Sequence, residues 1–144
     1  MSKVKIYTDG SANNNVKNGN RRGGWAAVFV SKNDKKLWHM AGGNANTTNN
    51  RMEMMAVLEA LKYADTLFDH ITVYSDSQYL VNGITKWIYG WLKNNWKNGR
   101  VKNKDLWEQL LDFVNRDDIE FRWVKGHSKN RWNRHADRIA RRAR

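Results

Sequence analysis

The stretch Thr47-Thr-Asn-Asn-Arg-Met-Glu-Met-Met-Ala-Val-Leu-Glu-Ala-Leu-Lys-Tyr-Ala64 constrains the fold more than any other. It opens with Thr and Asn side chains able to cap a helix and continues through strong helix formers. Apolar residues occupy nearly every side, so such a helix belongs against a sheet. Glu53 does not suit that role. It is flanked by Met52, Met54 and Met55, where a carboxylate is partly buried and costly unless something positive compensates it. A metal ion would do so, provided that acids distant in sequence reach the same edge of the sheet.

The rest of the chain supplies that sheet. Lys3–Thr8 alternates polar and apolar residues as a strand does and delivers Asp9 at its end. After an Asn- and Gly-rich loop, Gly24–Val30 and Lys36–Ala41 are strand-like runs separated by the turn residues Asn33 and Asp34, predicting an antiparallel meander. Gly42-Gly43 predicts a break before the helix, which is expected to last until about Thr66. Ile71–Ser75 follows a long helix, the crossover pattern of a strand parallel to the first, and it too ends in a carboxylate, Asp76. Ser77 or Asp76 can cap a segment through Val81. Leu106, Leu110, Leu111 and Val114 predict an amphipathic helix starting near Lys104 and ending before Asp117. Ile119–Val124 reads as the fifth strand, Lys125–Asn130 as a polar loop, and Trp132–Arg144 as a terminal helix with Asp137 beside Ala136, Ile139 and Ala140. The expectation is one domain over residues 1–144. It is an α/β fold with a five-stranded mixed sheet (three antiparallel strands, then two parallel to the first) and helices on both faces.

Charge narrows the partner. Twenty-six Lys and Arg against fourteen Asp and Glu give a formal net charge of +12, directed at a polyanion, nucleic acid before others. The charge is uneven: residues 83–104 hold six Lys or Arg and no acid, and from Lys125 to Arg144 Asp137 is the only acid. Trp87, Trp91 and Trp96 are interspersed with Lys93, Lys97 and Arg100, a mixture of stacking surfaces and cations. Some of these tryptophans are expected to anchor the segment on the core while the basic residues meet phosphates. Cysteine is absent, which removes disulfides, a thiolate nucleophile and a cysteine zinc cluster. No secretory signal or transmembrane run occurs at either end, so a cytoplasmic monomer without membrane contact is expected.

The acids form a set. Asp9 and Asp76 stand at the carboxyl ends of two predicted parallel strands, the edge where open α/β sheets place their sites. Glu53 comes from the helix between them, and Asp137 joins if the last helix crosses that edge. Clustered carboxylates raise one another's pKa unless hard divalent cations occupy the gap. Mg²⁺ or Mn²⁺ fits an all-oxygen set; zinc fits poorly without cysteine. Two ions about 3.5–4 Å apart would promote in-line attack of water on a phosphodiester. His127, in a glycine-containing loop after the fifth strand, suits proton transfer. Taken singly, Asp9 or Asp76 reads as a turn or cap residue. His39 and His70 carry no signal, and His135 reads equally as a neighbour of the Asp137 site or as a surface group facing phosphate.

Tyr7-Thr-Asp-Gly-Ser11, Thr47-Thr-Asn-Asn-Arg-Met-Glu-Met-Met-Ala56, Ser75-Asp-Ser-Gln-Tyr79, Gly83-Ile-Thr-Lys-Trp-Ile88, Trp123-Val-Lys-Gly-His127 and Ala136-Asp137 resemble, in order and over essentially the whole chain, bacterial-type ribonuclease H of type 1. The resemblance implies a ribonuclease H-like fold and endonucleolytic cutting of the RNA strand of an RNA–DNA hybrid. It implies Mg²⁺, two ions with substrate, or Mn²⁺ in its place, and 5′-phosphate and 3′-hydroxyl ends. The family's metal-binding acids correspond to Asp9, Glu53, Asp76 and Asp137, and its mobile catalytic histidine to His127. By the same resemblance Asn49 and Asn50 approach the hybrid minor groove, Thr48 contacts a DNA-strand phosphate, and Gln78 touches the RNA side. Backbone groups near Gly10, and the side of Glu53 not used by metal, read the 2′-hydroxyls. Trp87–Arg100 corresponds to the basic protrusion along the DNA strand.

The chain departs from the family pattern in two places. The loop after Ser11 lacks a proline-containing glycine turn and is longer and more basic, through Lys17, Arg21 and Arg22, which leaves its phosphate-binding asparagine open among Asn13, Asn14 and Asn15. Arg134 and His135 stand where relatives often place an acid. The acids alone also permit a DNA-cutting metal nuclease on the same sheet, and the basic surface alone permits a hybrid-binding module without catalysis.

Overall fold

The computed structural model describes residues 2–13, 21–125 and 130–144. His127, Ser128, Asn14, Asn15 and Lys17 lie outside the described residues. Five strands, β1 (Lys3–Ala12), β2 (Gly23–Ser31), β3 (Lys36–Asn44), β4 (His70–Ser75) and β5 (Ile119–Trp123), form one sheet in the order β3-β2-β1-β4-β5. β1 and β2, and β2 and β3, pair antiparallel; β4 lies parallel to β1 and β5 parallel to β4. This is the mixed sheet expected. Every residue of Gly23–Val30 in β2 is buried, because helices cover both faces and neither side of a central strand meets water.

Two ends differ from expectation. Asp9 is not the last residue of its strand: β1 continues to Ala12 because Gly23 and Gly24 go on pairing with Ala12 and Ser11. The parallel partner stops sooner, at Thr8 opposite Ser75, so Asp9 is the first β1 residue beyond β4 and opens onto the gap there. The Gly42-Gly43 pair does not break β3, which runs on to Asn44. A Cβ at Gly42 would overlap the Trp25 indole, and one at Gly43 the Ala143 carbonyl. These glycines serve close packing within a strand.

Helix α1 (Asn49–Ala64) starts where Thr48 Oγ1 accepts from Arg51 N at 3.2 Å, a side-chain cap of the kind Thr supplies. Met54, Val57, Leu58 and Leu61 pack it on Val4, Ile6, Phe29, Ile71 and Val73 of the sheet. After β4 come α2 (Gln78–Asn82), a π-helical turn (Gly83–Trp87), α3 (Ile88–Lys93) and the short turn α4 (Asn95–Gly99). The hand then reverses: Asn95, Trp96, Lys97 and Asn98 have φ between 52° and 58°, a left-handed turn that Asn tolerates through local side-chain bonds. It begins with Asn94 Oδ1 accepting from Lys97 N at 2.9 Å and drives Trp96 inward, to 8% exposure. Helix α5 (Lys104–Leu110) and a 3₁₀ turn (Leu111–Phe113) lead into β5.

Helix α6 (Arg131–Arg142) covers the other face, where Ala136, Trp132 and Ile139 pack on Tyr7, Val28, Val30 and Tyr74. The β2–β3 hairpin grips it at both ends. Asp34, in the hairpin turn, accepts from Trp132 Nε1 at 2.7 Å and from Arg131, while Ala140 O lies against Gly24. Among the described residues no helix is long and apolar enough to cross a membrane.

This close approach predicts opposite responses at two glycines. Gly24→Ala forces α6 off β2 and should cost about 2–3 kcal/mol in urea unfolding. Gly90→Ala, in α3 with nothing within 4 Å of the added Cβ, should stabilise by about 0.5–1 kcal/mol. Equal effects at the two positions would contradict the packing described.

Candidate active site

The gap beyond Thr8 and Ser75 becomes a pocket of about 320 Å³ lined by Asp9, Gly10, Ser11, Asn49, Asn50, Glu53, Asp76, Ser77 and Asp137. Four elements supply its acids: β1 gives Asp9, α1 gives Glu53, the end of β4 gives Asp76 and α6 gives Asp137. Carboxylate oxygens of Asp9, Glu53 and Asp76 all lie within 4.8 Å of one another. Asp9 and Glu53 are 6% and 7% exposed, so water cannot screen their repulsion. Asp137 lines the same pocket beside Asp9, outside the mutual trio, more exposed and paired with Arg141 Nε at 3.3 Å.

Backbone groups fix this arrangement. Gly10 N donates to Glu53 Oε1. Only glycine fits there, since a Cβ on Gly10 would overlap the α1 backbone at Met52 and Glu53. Asn49 Oδ1 accepts from Ala12 N at 2.5 Å, stitching the start of α1 to the extension of β1. On the other side Trp123 Nε1 donates to the Asp76 carbonyl at 3.2 Å, and Val124 N to Ser75 O at 2.8 Å, so β5 holds the turn that carries Asp76. Strand periodicity places Trp123 with Ile119 and Phe121, yet it is 44% exposed; its bond to Asp76 has no signature in the sequence. Ser77 caps α2, accepting from Leu80 N at 3.1 Å.

The electrostatics follow from burial. Desolvation pushes the Asp9 carboxyl up to about 8, and the charges of Asp76 and Asp137 push the same way. Burial, then Asp9 and Asp76, raises Glu53 well above the usual carboxylate range. Without a cation the trio therefore keeps a proton at neutral pH. An all-oxygen donor set this close, with two members buried, suits a hard divalent ion, which would neutralise what the protein leaves unbalanced.

The nucleic-acid candidates divide between two places. Gly10, Asn49 and Asn50 line the carboxylate pocket, with Thr48 and Gln78 exposed beside it at the starts of α1 and α2. Trp87, Trp91 and Lys97 line an open groove of about 550 Å³ with Lys86, Gly90 and Asn94, and Lys93 is exposed on α3. Trp96 is the exception. It is buried against Trp91, ring centroids 5.9 Å apart, because the left-handed turn points its indole into the core; it anchors the protrusion and offers no stacking face. Sequence reasoning also missed Arg51, whose guanidinium pairs with Asp105 at 2.8 Å and ties the start of α1 to the base of the protrusion. His135 faces Lys36 at 2.9 Å, away from the carboxylates. Burial first, and then Lys36 and Arg138, press its pKa below the ordinary value.

The sequence model of the RNase H family matches residues 1–144. The chain is 44% identical over 144 residues to a ribonuclease H of Hahella chejuensis, covering 97% of this chain and 92% of that protein. It is similar to the crystal structure of LC9-RNase H1, a type 1 RNase H with the type 2 active-site motif, at a TM-score of 0.86 and 28% identity, over 99% of this chain and 72% of that one. The foamy viral protease–reverse transcriptase in complex with RNA/DNA hybrid shares the fold at a TM-score of 0.82 and 21% identity, over 99% of this chain and 20% of that one.

The raised carboxyl sets a pH dependence. Unfolded, Asp9 ionises near 3.8; folded, it holds its proton to about 8. The native state binds more protons across that window, so its stability falls as pH rises through it. Asp9→Asn removes the share of this slope that Asp9 carries, while burial keeps the share of Glu53. In chelator, the variant should exceed the wild type by about 1–3 kcal/mol at pH 8 and lose that advantage by pH 4. Urea unfolding at pH 4, 6 and 8 measures it, and parallel curves for the two proteins would contradict the assignment.

Proposed function

The chain belongs to the RNase H family, and from that premise we propose that it cuts the RNA strand of RNA–DNA hybrids endonucleolytically, leaving 5′-phosphate and 3′-hydroxyl ends. The observation that carries the reading is the convergence of Asp9, Glu53 and Asp76 within 4.8 Å at the sheet edge, between a glycine–asparagine rim and a basic, tryptophan-lined groove. Two Mg²⁺ ions, or Mn²⁺ in their place, held with substrate by Asp9, Glu53, Asp76 and Asp137, would supply water activation and charge neutralisation at the phosphate.

The chain's own residues do the rest. Asp9, Glu53 and Asp76 are pre-positioned by Gly10 N and the β4–β5 bonds, so no reorganisation is needed at the moment of reaction. Asn49 and Asn50 offer amide groups at the rim, suited to base and sugar edges in a minor groove. Backbone groups at Gly10 face the strand that carries 2′-hydroxyls, the feature that separates RNA from DNA. Trp87, Trp91, Lys93 and Lys97 hold the DNA strand, Thr48 takes one of its phosphates, and Gln78 meets the RNA side. As water's oxygen bonds to phosphorus, the bond to O3′ breaks and that oxygen needs a proton; His127 delivers it. The chain works as one catalytic domain, a monomer of the cytoplasm.

Hybrids labelled on either strand test the reading. With Mg²⁺ or Mn²⁺ only the RNA strand should be cut, and duplex DNA should survive. Asp9→Asn and Asp76→Asn should each lower kcat by about 10³-fold or more while the protein stays folded by circular dichroism. Cutting of duplex DNA at a comparable rate would favour a DNA nuclease on the same sheet, and near wild-type kcat in either variant would defeat the carboxylate roles.

A further inference from the structure

A second set of polar groups lies on the α6 face of the sheet and takes no part in the carboxylate pocket. The β2–β3 register sets His39 opposite Val28 and Lys36 opposite Val30, both on the side that α6 covers. Lys36 Nζ stands 2.8 Å from His39 Nδ1 and 2.9 Å from His135 Nε2. An ammonium only donates, so both of those nitrogens accept, and each ring carries its proton on the other nitrogen, His39 Nε2 and His135 Nδ1. The arrangement holds a long, mobile side chain in one place and leaves each neutral ring with an N–H donor. Arg138 and Arg142 follow His135 by three and seven residues, on the same side of α6, and both are exposed. The two acids nearest in this region, Asp34 and Asp137, are engaged by Arg131 and Arg141. Among the described residues no ion pair balances Lys36, Arg138 or Arg142.

Like charges gathered without a counter-charge repel, and an anion relieves them as a cation relieves the carboxylates. Helix α6 also fixes where that anion comes from. Asp137 belongs to the pocket, and Arg138 and Arg142 lie about 1.5 and 7.5 Å further along the same axis, turned about 100° and 140° around it from Asp137. The tryptophan-lined groove stands on the α1 side of the sheet and this cluster on the α6 side, with the carboxylates at the edge between the two faces.

We propose that Lys36, Arg138 and Arg142, with the free N–H groups of His39 and His135, contact the phosphodiester backbone of the bound hybrid beyond the cut, on the side opposite the tryptophan-rich protrusion. The inference rests on the hybrid being the substrate.

The test is equilibrium binding of fluorescent hybrids with Ca²⁺ in place of Mg²⁺, so that the carboxylates are offset while the looser coordination of Ca²⁺ leaves the hybrid uncut, over a range of KCl, with one duplex of about 18 base pairs and one of about 8. Arg138→Gln/Arg142→Gln leaves the Lys36 bridge intact. It should weaken binding of the long hybrid about 5- to 30-fold near 0.1 M salt and lower the slope of log K against log salt by about 2, with little change for the short one. Lys62→Gln, at the far end of α1, serves as a charge control and should leave the slope unaltered. An unchanged slope in the double variant, or an equal loss in the Lys62 control, overturns the inference while leaving hybrid binding by the wild type intact. A wild-type protein that binds neither hybrid overturns both this inference and the substrate reading.

Discussion

Everything near the functional edge depends on the repulsion between the buried carboxylates of Asp9, Glu53 and Asp76. Water cannot relieve it, since two of the three are nearly inaccessible, and no Lys or Arg is paired with any of them among the described residues. The fold tolerates it because the backbone of each carrier is held in place, and one of those bonds, Gly10 N to Glu53 Oε1, also stabilises a carboxylate directly. The sheet ladder holds β1, Gly10 N and Asn49 hold α1 against it, and Trp123 and Val124 hold the turn after β4. Stability is thus set against a cluster of buried carboxylates that a cation would relieve, a conflict of the kind expected where function overrides local consistency.

The surface inverts that charge. A net +12 spreads over the chain while the carboxylate pocket is an acidic recess in a surface that also carries a basic groove and a basic helix face. In the proposed function, long-range attraction would bring the polyanion to the protein, and the carboxylates would admit its phosphate once their own charge is offset. Helix α6 links the two regimes, with Asp137 facing the pocket and Arg138 and Arg142 facing solvent one and five residues later. The β2–β3 hairpin carries none of the acids. Through Asp34, Lys36, His39 and Gly24 it nevertheless decides where α6 lies.

Much of this was legible in the residues. A carboxylate among three methionines marked Glu53 as out of place in a core helix, and the strand–helix–strand pattern put Asp9 and Asp76 at one edge. What failed depended on tertiary contact. Gly42-Gly43 reads as a breaker, but close packing against Trp25 and Ala143 makes glycine necessary inside a strand. Trp96 sits amid Lys and Asn like a stacking residue, but the left-handed turn at 95–98 points it inward. Trp123 follows strand alternation, and nothing in that period tells that its N–H reaches the Asp76 carbonyl. The Lys36–His39–His135 bridge joins residues 99 apart, beyond any local pattern. The role expected of His127 falls outside the described residues.

On the proposed reading, these carboxylates are there to be neutralised by a divalent ion that displaces a retained proton. Titration calorimetry of Mn²⁺ into the wild type at pH 7, repeated in buffers of different ionisation enthalpy, measures ion and proton together. The wild type should show saturable binding with release of about one proton per ion, and Asp9→Asn should lose both. Binding of equal strength in the variant, or binding without proton release, would contradict it.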